Sequence, residues 1–152
     1  MARKPRSDKP TGPVIIIDTR EQTPWRFPGS VSVGLKTGDY SVVGMEDIAV
    51  IERKSLDDLV QSITWERERF ERELARMVQI RWRAVVVEAG LPDVVEWRYK
   101  SMARPESVVG SVIALSLDYL TPFIFCGNRQ CAAAYALRWL RKAWERHNAQ
   151  AK

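Results

Sequence analysis

The chain has 152 residues, of which 45% are hydrophobic and 28% charged, and its formal net charge is +5. That size and hydrophobic content suit a single domain with a core of its own and exclude a wholly disordered chain. No apolar run approaches the roughly 18 residues of a membrane helix, so a membrane role is excluded as well. Residues 1–13 carry Arg3, Lys4, Arg6 and Lys9 among Pro5, Pro10 and Pro13 and read as a flexible basic arm. The arm lacks the apolar stretch of a secretory leader, so an intracellular protein, cytoplasmic or nucleoid-associated, is expected. Residues 14–18 (Val-Ile-Ile-Ile-Asp) form an unalternating β-branched run, the pattern of a strand covered on both faces. After a loop with Thr23, Pro24, Pro28 and Gly29 come strand-like pieces near 31–35, 39–43 and 47–52, with a hairpin turn at 44–47. Leu56, Leu59, Val60 and Ile63 then recur at helical spacing. A second helix is expected from Thr64, a good N-cap residue, with Phe70, Leu74, Met77 and Val78 as its apolar stripe. Residues 84–88 predict another buried strand ending in an acid, and 91–104 a loop. Pro105 opens a helix to about 120, residues 122–126 form a short strand, and a last helix covers about 129–147, leaving 148–152 as a tail. Strands alternating with helices predict an α/β sheet layered by helices, one domain over 14–147.

Arg outnumbers Lys 17 to 7, which permits a nucleic-acid partner without requiring one. Cys126 and Cys131, with four residues between them, make neither a CxxC redox pair nor a zinc half-site and read as reduced thiols. The acids are more informative. Asp18 ends the first strand and Glu21 follows, Asp39 opens another strand after Gly38, Glu52 ends the next and Asp58 lies on the helix after it. Carboxylates from several strand ends converging on one point need a cation. Oxygen donors without His or Cys select hard ions, Mg²⁺ or Mn²⁺. Lys54 stands two residues beyond Glu52 and therefore on the same strand face. A cation next to a metal carboxylate is what phosphodiester hydrolysis wants.

The segments VIIIDTRE (14–21), GDY (38–40) and IERKSLDDL (51–59) together resemble the signature of the XPF-type structure-specific endonucleases. The family pattern of GD, a spacer, then ERK, three residues and Asp falls here on Gly38-Asp39, Glu52-Arg53-Lys54 and Asp58, with Asp18 and Glu21 as the upstream acid pair. DLVQSITWERERFERELARM (58–77) and VVVEAG (85–90) extend the likeness, which covers roughly 14–146. The resemblance implies a restriction-endonuclease-like fold, a central mixed sheet flanked by helices. It implies Mg²⁺- or Mn²⁺-dependent cleavage of flap, fork or branched DNA. It assigns Asp39 and Glu52 as principal metal ligands helped by Asp18 and Glu21, and Lys54 to the nucleophilic water. Arg53 and Asp58 would support the site, Arg20 and Arg69 would face DNA phosphates, and Tyr40 would either touch a nucleotide or, equally, belong to the core. It also implies a dimer, through the helices at 105–120 and 129–147, or a heterologous partner. Most members add a tandem helix-hairpin-helix domain for which no residues remain here. Its grip would come from a partner, or the chain works alone, or it is one domain of a longer protein. The rival class is a non-catalytic DNA-binding or scaffold subunit, against which the complete motif speaks.

Several of these residues have a plainer reading. Ser55-x-x-Asp58 resembles a helix capping box, Glu88 an ordinary sheet-edge acid, and Glu21 a partner for Arg20 or Arg26. Arg67, Arg72, Arg76, Arg81 and Arg83 read as a solvated face balanced by neighbouring glutamates. Trp25-Arg26-Phe27 and Trp97-Arg98-Tyr99-Lys100 interleave aromatics and bases as single-strand-binding surfaces do.

Overall fold

A computed structural model of the chain describes residues 11–151. Most of the basic arm, residues 1–10, lies outside the described residues. The elements run β1 (Ile15–Ile17), β2 (Val31–Ser32), β3 (Tyr40–Val42), β4 (Ala49–Lys54), α1 (Leu56–Ile63), α2 (Arg67–Met77), β5 (Trp82–Val87), α3 (Leu91–Val95), α4 (Pro105–Asp118), β6 (Phe123–Phe125) and α5 (Arg129–Gln150). They form one six-stranded mixed sheet in the order β2-β1-β3-β4-β5-β6. β3 is antiparallel to both β1 and β4, whereas β4, β5 and β6 are parallel and joined through helices. The α/β class with a mixed sheet flanked by helices is thus the one expected.

The pleat of β4 and β5 sorts their residues onto two cores, because successive side chains leave opposite faces of a strand. Val50, Val85 and Val87 join Leu59, Val60, Phe70, Leu74, Val112 and Leu115 under α1, α2 and α4. Ala49, Ile51 and Val86 join Trp25, Tyr40, Ala132, Ala136 and Leu140 under α5. The small side chains of α5 let that long helix lie close to the sheet. With both faces covered, the central strands read as continuous apolar runs.

Three expectations change. Thr64 does not start the second helix. Its hydroxyl donates to the Val60 carbonyl (2.6 Å) and closes α1, and α2 begins at Arg67 after Glu66. The expected loop at 91–104 contains the five-residue α3, started by Pro92 and by Asp93, whose carboxylate accepts the Gly90 N–H (2.8 Å). A helix that short has no apolar period to show. The last helix continues to Gln150, beyond 147. Among the described residues, no helix is long and apolar enough to cross a membrane.

Gly38 holds φ +80°, where a Cβ would stand 2.9 Å from the Val50 Cβ and 3.3 Å from the Ile51 carbonyl oxygen. Both the left-handed backbone and the close approach exclude a side chain. Gly38→Ala is expected to destabilise the fold by about 2 kcal/mol or more. Urea unfolding of the two proteins measures this; equal midpoints would show that the 37–39 turn is free to rearrange.

Candidate active site

The antiparallel pairing of β1, β3 and β4 delivers three acids to one end of the sheet. β1 ends there, β3 begins there and β4 ends there, so Asp18, Asp39 and Glu52 arrive from three directions. The Asp18 N–H donates to the Asp39 carbonyl (2.8 Å), and the Asp39 N–H to the Ile51 carbonyl (2.8 Å), which locks the three segments together. The acids open onto a cleft of about 250 Å³ whose walls include Arg20, Lys36, Lys54, Arg69, Phe70, Glu73 and Arg76.

Asp39 and Glu52 are a like-charge pair with little water. Burial, then the charge of Glu21, pushes the Asp39 carboxyl from an ordinary 3.8 to about 6, against the Arg53 N–H on its Oδ2 (2.8 Å) and the Lys54 and Arg53 charges. Burial and the neighbouring Asp39 likewise hold Glu52 well above the usual carboxylate range, only partly opposed by Lys54. The Lys54 ammonium lies 3.7 Å from Glu52 Oε1 and 4.9 Å from the centre of the Phe70 ring, which carries it into the cleft. Asp18 differs. Burial works to raise its carboxyl, but the Leu35 N–H (2.8 Å) and the Arg20 guanidinium (2.9 Å) outweigh it and hold it ionised below the usual range.

Arg53, between Glu52 and Lys54, points through the other face of the sheet. Its guanidinium donates to Glu21 Oε2 (2.8 Å), Glu88 Oε1 (2.5 Å) and Thr23 Oγ1 (2.9 Å). Tyr40 donates its hydroxyl to Glu21 Oε2 (3.0 Å) and accepts the Trp25 N–H (2.8 Å). Burial, with Glu21 opposite, raises the Tyr40 phenol, so it stays protonated and donating.

A family model, the ERCC4 domain, matches residues 17–138, most of the chain and a span that includes Asp18, Asp39 and Glu52. The chain belongs to the ERCC4 domain family. Its domain is of the XPF nuclease type. XPF from Aeropyrum pernix is similar in fold, with a TM-score of 0.68 at 22% identity, covering 90% of this chain and 68% of that one. XPF from Aeropyrum pernix in complex with DNA gives 0.68 at 23% identity, covering 88% and 66%. No curated protein matches.

This ERCC4 domain places the sequence-derived residues in two groups. Asp18, Asp39, Glu52, Lys54, Arg20 and Arg69 line one cleft. Glu21, Arg53 and Tyr40 form a network behind it and do not line it. The period of two that puts Glu52 and Lys54 together necessarily sends Arg53 away. Tyr40 is fully buried, which corrects the expectation that it touches a nucleotide. Asp58 is exposed and outside the cleft walls; its N–H donates to Ser55 Oγ (3.2 Å), which makes Ser55 the helix cap, the half of the capping-box reading that does not use the Asp58 carboxylate. Trp25 and Phe27 are buried against Tyr40, and Tyr99 is buried with its hydroxyl on the Ala103 carbonyl, so these aromatics are core rather than a single-strand surface. Glu73 and Arg76 are cleft residues that the sequence reading left on a solvated helix face. Their spacing of three and six from Phe70, itself beneath Lys54, was the available signal.

XPF-type nucleases are divalent-metal dependent as a class. Among the described residues, no three Asp, Glu, His or Cys side chains cluster tightly enough to hold a metal by themselves. Asp39 and Glu52 nevertheless fit a hard cation. They supply oxygen only, and the neighbouring Lys54 opposes their negative charge only in part. Mg²⁺ is commonly held by one or two carboxylates, its other positions being filled by water and substrate phosphate. Asp18 stands beside them with its oxygens engaged by Leu35 and Arg20.

A carboxyl whose folded pKa lies above its unfolded one stabilises the fold while protonated and stops doing so as pH rises through the folded value. Metal-free protein is therefore expected to lose stability between pH about 4 and about 6, the span from the ordinary to the shifted value of Asp39. Glu52→Gln, which relieves the repulsion, should be more stable than wild type at pH 8 by about 1 kcal/mol, with the gap closing toward pH 4. Thermal melts in EDTA across this range measure it; a variant less stable at pH 8 would show that the pair is not in conflict.

Proposed function

We propose that the chain is a metal-dependent, structure-specific DNA endonuclease that hydrolyses phosphodiester bonds in flap, fork or branched DNA with Mg²⁺ or Mn²⁺. The observation that carries this is the convergence of Asp39, Glu52 and Lys54 on the floor of a cleft rimmed by Arg20, Lys36, Arg69 and Arg76. Membership of the ERCC4 domain family supports it, as does the shared fold with a relative described in complex with DNA.

The residues divide the work by depth. A divalent cation held by Asp39 and Glu52 would supply Lewis acidity and an acidified water. The Arg20 and Arg69 side chains, 72% and 69% exposed, stand at the mouth of the cleft where backbone phosphates would reach them, Arg20 from its bond to Asp18 and Arg69 from loose pairs with Glu66 and Glu73. Lys54, tethered by Glu52 and seated on Phe70, is placed to orient a water or balance negative charge on the phosphorane. In the reaction a water oxygen bonds to phosphorus as the bond from phosphorus to the ester oxygen breaks; the attacking water gives up a proton to solvent and the departing ester oxygen takes one from solvent to leave as an alcohol.

One gel tests this. Labelled flap, fork, bubble and plain duplex DNA are incubated with Mg²⁺, Mn²⁺ or EDTA beside Asp39→Ala. The expected result is metal-dependent cleavage favouring a branched substrate, falling at least about a hundredfold in the variant. No metal-dependent cleavage of any substrate would falsify the enzyme reading.

We infer a homodimer as its assembly, with α4 contributing more than α5. Ile113 and Leu117 on α4 and Leu120 beyond it are exposed, next to an apolar groove of about 370 Å³ between α3, α4 and β6. Trp139 of α5 packs partly against the core instead. Sedimentation equilibrium at micromolar concentration should return twice the chain mass, and Leu117→Glu should shift it to monomer. A wild-type monomer across that range would remove the dimer.

A further inference from the structure

We propose that Glu88 is a positioning residue that aligns the cleft from the opposite side of the sheet; this rests on the endonuclease reading above. Glu88 follows the last residue of β5 and its side chain is 7% exposed. Three donors from three separate parts of the chain converge on its carboxylate. Arg53 Nη1 of β4 binds Oε1 at 2.5 Å, while the Trp25 indole N–H (3.0 Å) and Arg129 Nη1 at the start of α5 (2.9 Å) bind Oε2. Arg129 continues to the Thr23 and Pro24 carbonyls (2.8 and 3.0 Å), so the loop after Asp18 is tied to the same point. The Glu88 N–H donates to the Lys54 carbonyl at 2.8 Å, which fixes the end of β4 as well.

None of these bonds enters the cleft, yet those to Arg53 and to the Lys54 carbonyl fix the strand end that carries Glu52 and Lys54 into it. With Arg53 clamped on the reverse face, the pleat dictates where Glu52 and Lys54 point on the front. The Arg53 N–H, on the same peptide unit, holds Asp39 Oδ2. One buried carboxylate thereby controls the placement of Asp39, Glu52 and Lys54. An ionic cluster is an inefficient way to stabilise a buried face, since an apolar packing of equal volume is often as stable. Its directional bonds provide what apolar packing lacks, a single strand pitch. Misplacing reacting groups by about 1 Å is enough to cost on the order of a hundredfold in rate.

Three variants of the full chain test the role: Glu88→Gln, which keeps the shape and removes the charge, Glu88→Asp, which keeps the charge and withdraws it, and Arg129→Gln. Steady-state cleavage is read with titration of Mn²⁺ against DNA-free protein, followed as a thermal shift. For Glu88→Gln we expect kcat to fall about tenfold or more with KM for DNA within about twofold, and the Mn²⁺ midpoint to rise several-fold. Glu88→Asp should lie between it and wild type. Arg129→Gln should stay within about threefold, because Arg129 is 45% exposed and leaves the Arg53 bond intact. A folded Glu88→Gln with wild-type kcat and Mn²⁺ midpoint, whatever its melting temperature, overturns the proposal. If Glu88→Gln does not fold, unchanged kcat and midpoint in Glu88→Asp overturn it equally. A wild type that binds Mn²⁺ but cuts nothing sinks the nuclease reading alone, and the Mn²⁺ midpoints still judge Glu88. A wild type that binds no Mn²⁺ sinks both.

Discussion

Asp39 and Glu52 sit where two carboxylates cannot both shed their protons without cost, and most of what surrounds them serves to keep them there. Burial raises both carboxyls, helped at Asp39 by the charge of Glu21 and at Glu52 by Asp39. Left alone, such side chains would turn apart into solvent. They are prevented from both sides, by the Arg53 N–H on Asp39 and by the Lys54 ammonium beside Glu52. The fold holds its acids in an unfavourable arrangement that only an added positive charge relieves. Stability given up at one point in this way is characteristic of sites built for binding.

The strand carrying the site has two separate tasks, divided residue by residue. Glu52 and Lys54 face the cleft, and Arg53 faces the aromatic core made by Trp25, Tyr40 and Phe27. Behind the sheet the Arg53 guanidinium is almost buried, whereas the Arg20 and Arg69 side chains of the rim are mostly exposed. A rigid back and a mobile front follow from the same three-residue run. A strand end suits this division better than a helix, whose neighbouring residues diverge by 100° rather than reverse.

The sequence made the strands legible where they are buried on both faces, since uninterrupted runs such as 84–88 admit few other readings. The carboxylates were legible because the motif spacing puts them at strand ends, and the alternation of β4 correctly paired Glu52 with Lys54. The same alternation, applied one residue further, separates Arg53 from the cleft; counting motif residues as one cluster obscured it. Glu88 was legible as an acid at a strand end, but its partners, and Arg129 altogether, were not, for another reason. Their partners stand 35 to 106 positions away, and no local pattern reports which distant strand end or helix start will meet. Tyr40 and Trp25 show the remaining limit, as an aromatic beside a charged motif reads alike whether it faces solvent or, as here, the core. Helix α3 was too short to show a period, and Thr64 offered a capping hydroxyl that the chain used to end a helix rather than begin one.

The depth at which the charges lie gives the cleft two different responses to ionic strength. The exposed guanidiniums of Arg20 and Arg69 stand in solvent, where salt at about 0.15 M screens charges beyond roughly 8 Å. The Asp39 and Glu52 pair lies beneath them and is less exposed. Added salt therefore screens the charges of the rim more than those of the floor. Residues 18–58 carry eight acids against five bases, yet the chain as a whole is positive. Within the cleft the two signs are layered, Asp39 and Glu52 on the floor and the guanidiniums of Arg20 and Arg69 above them.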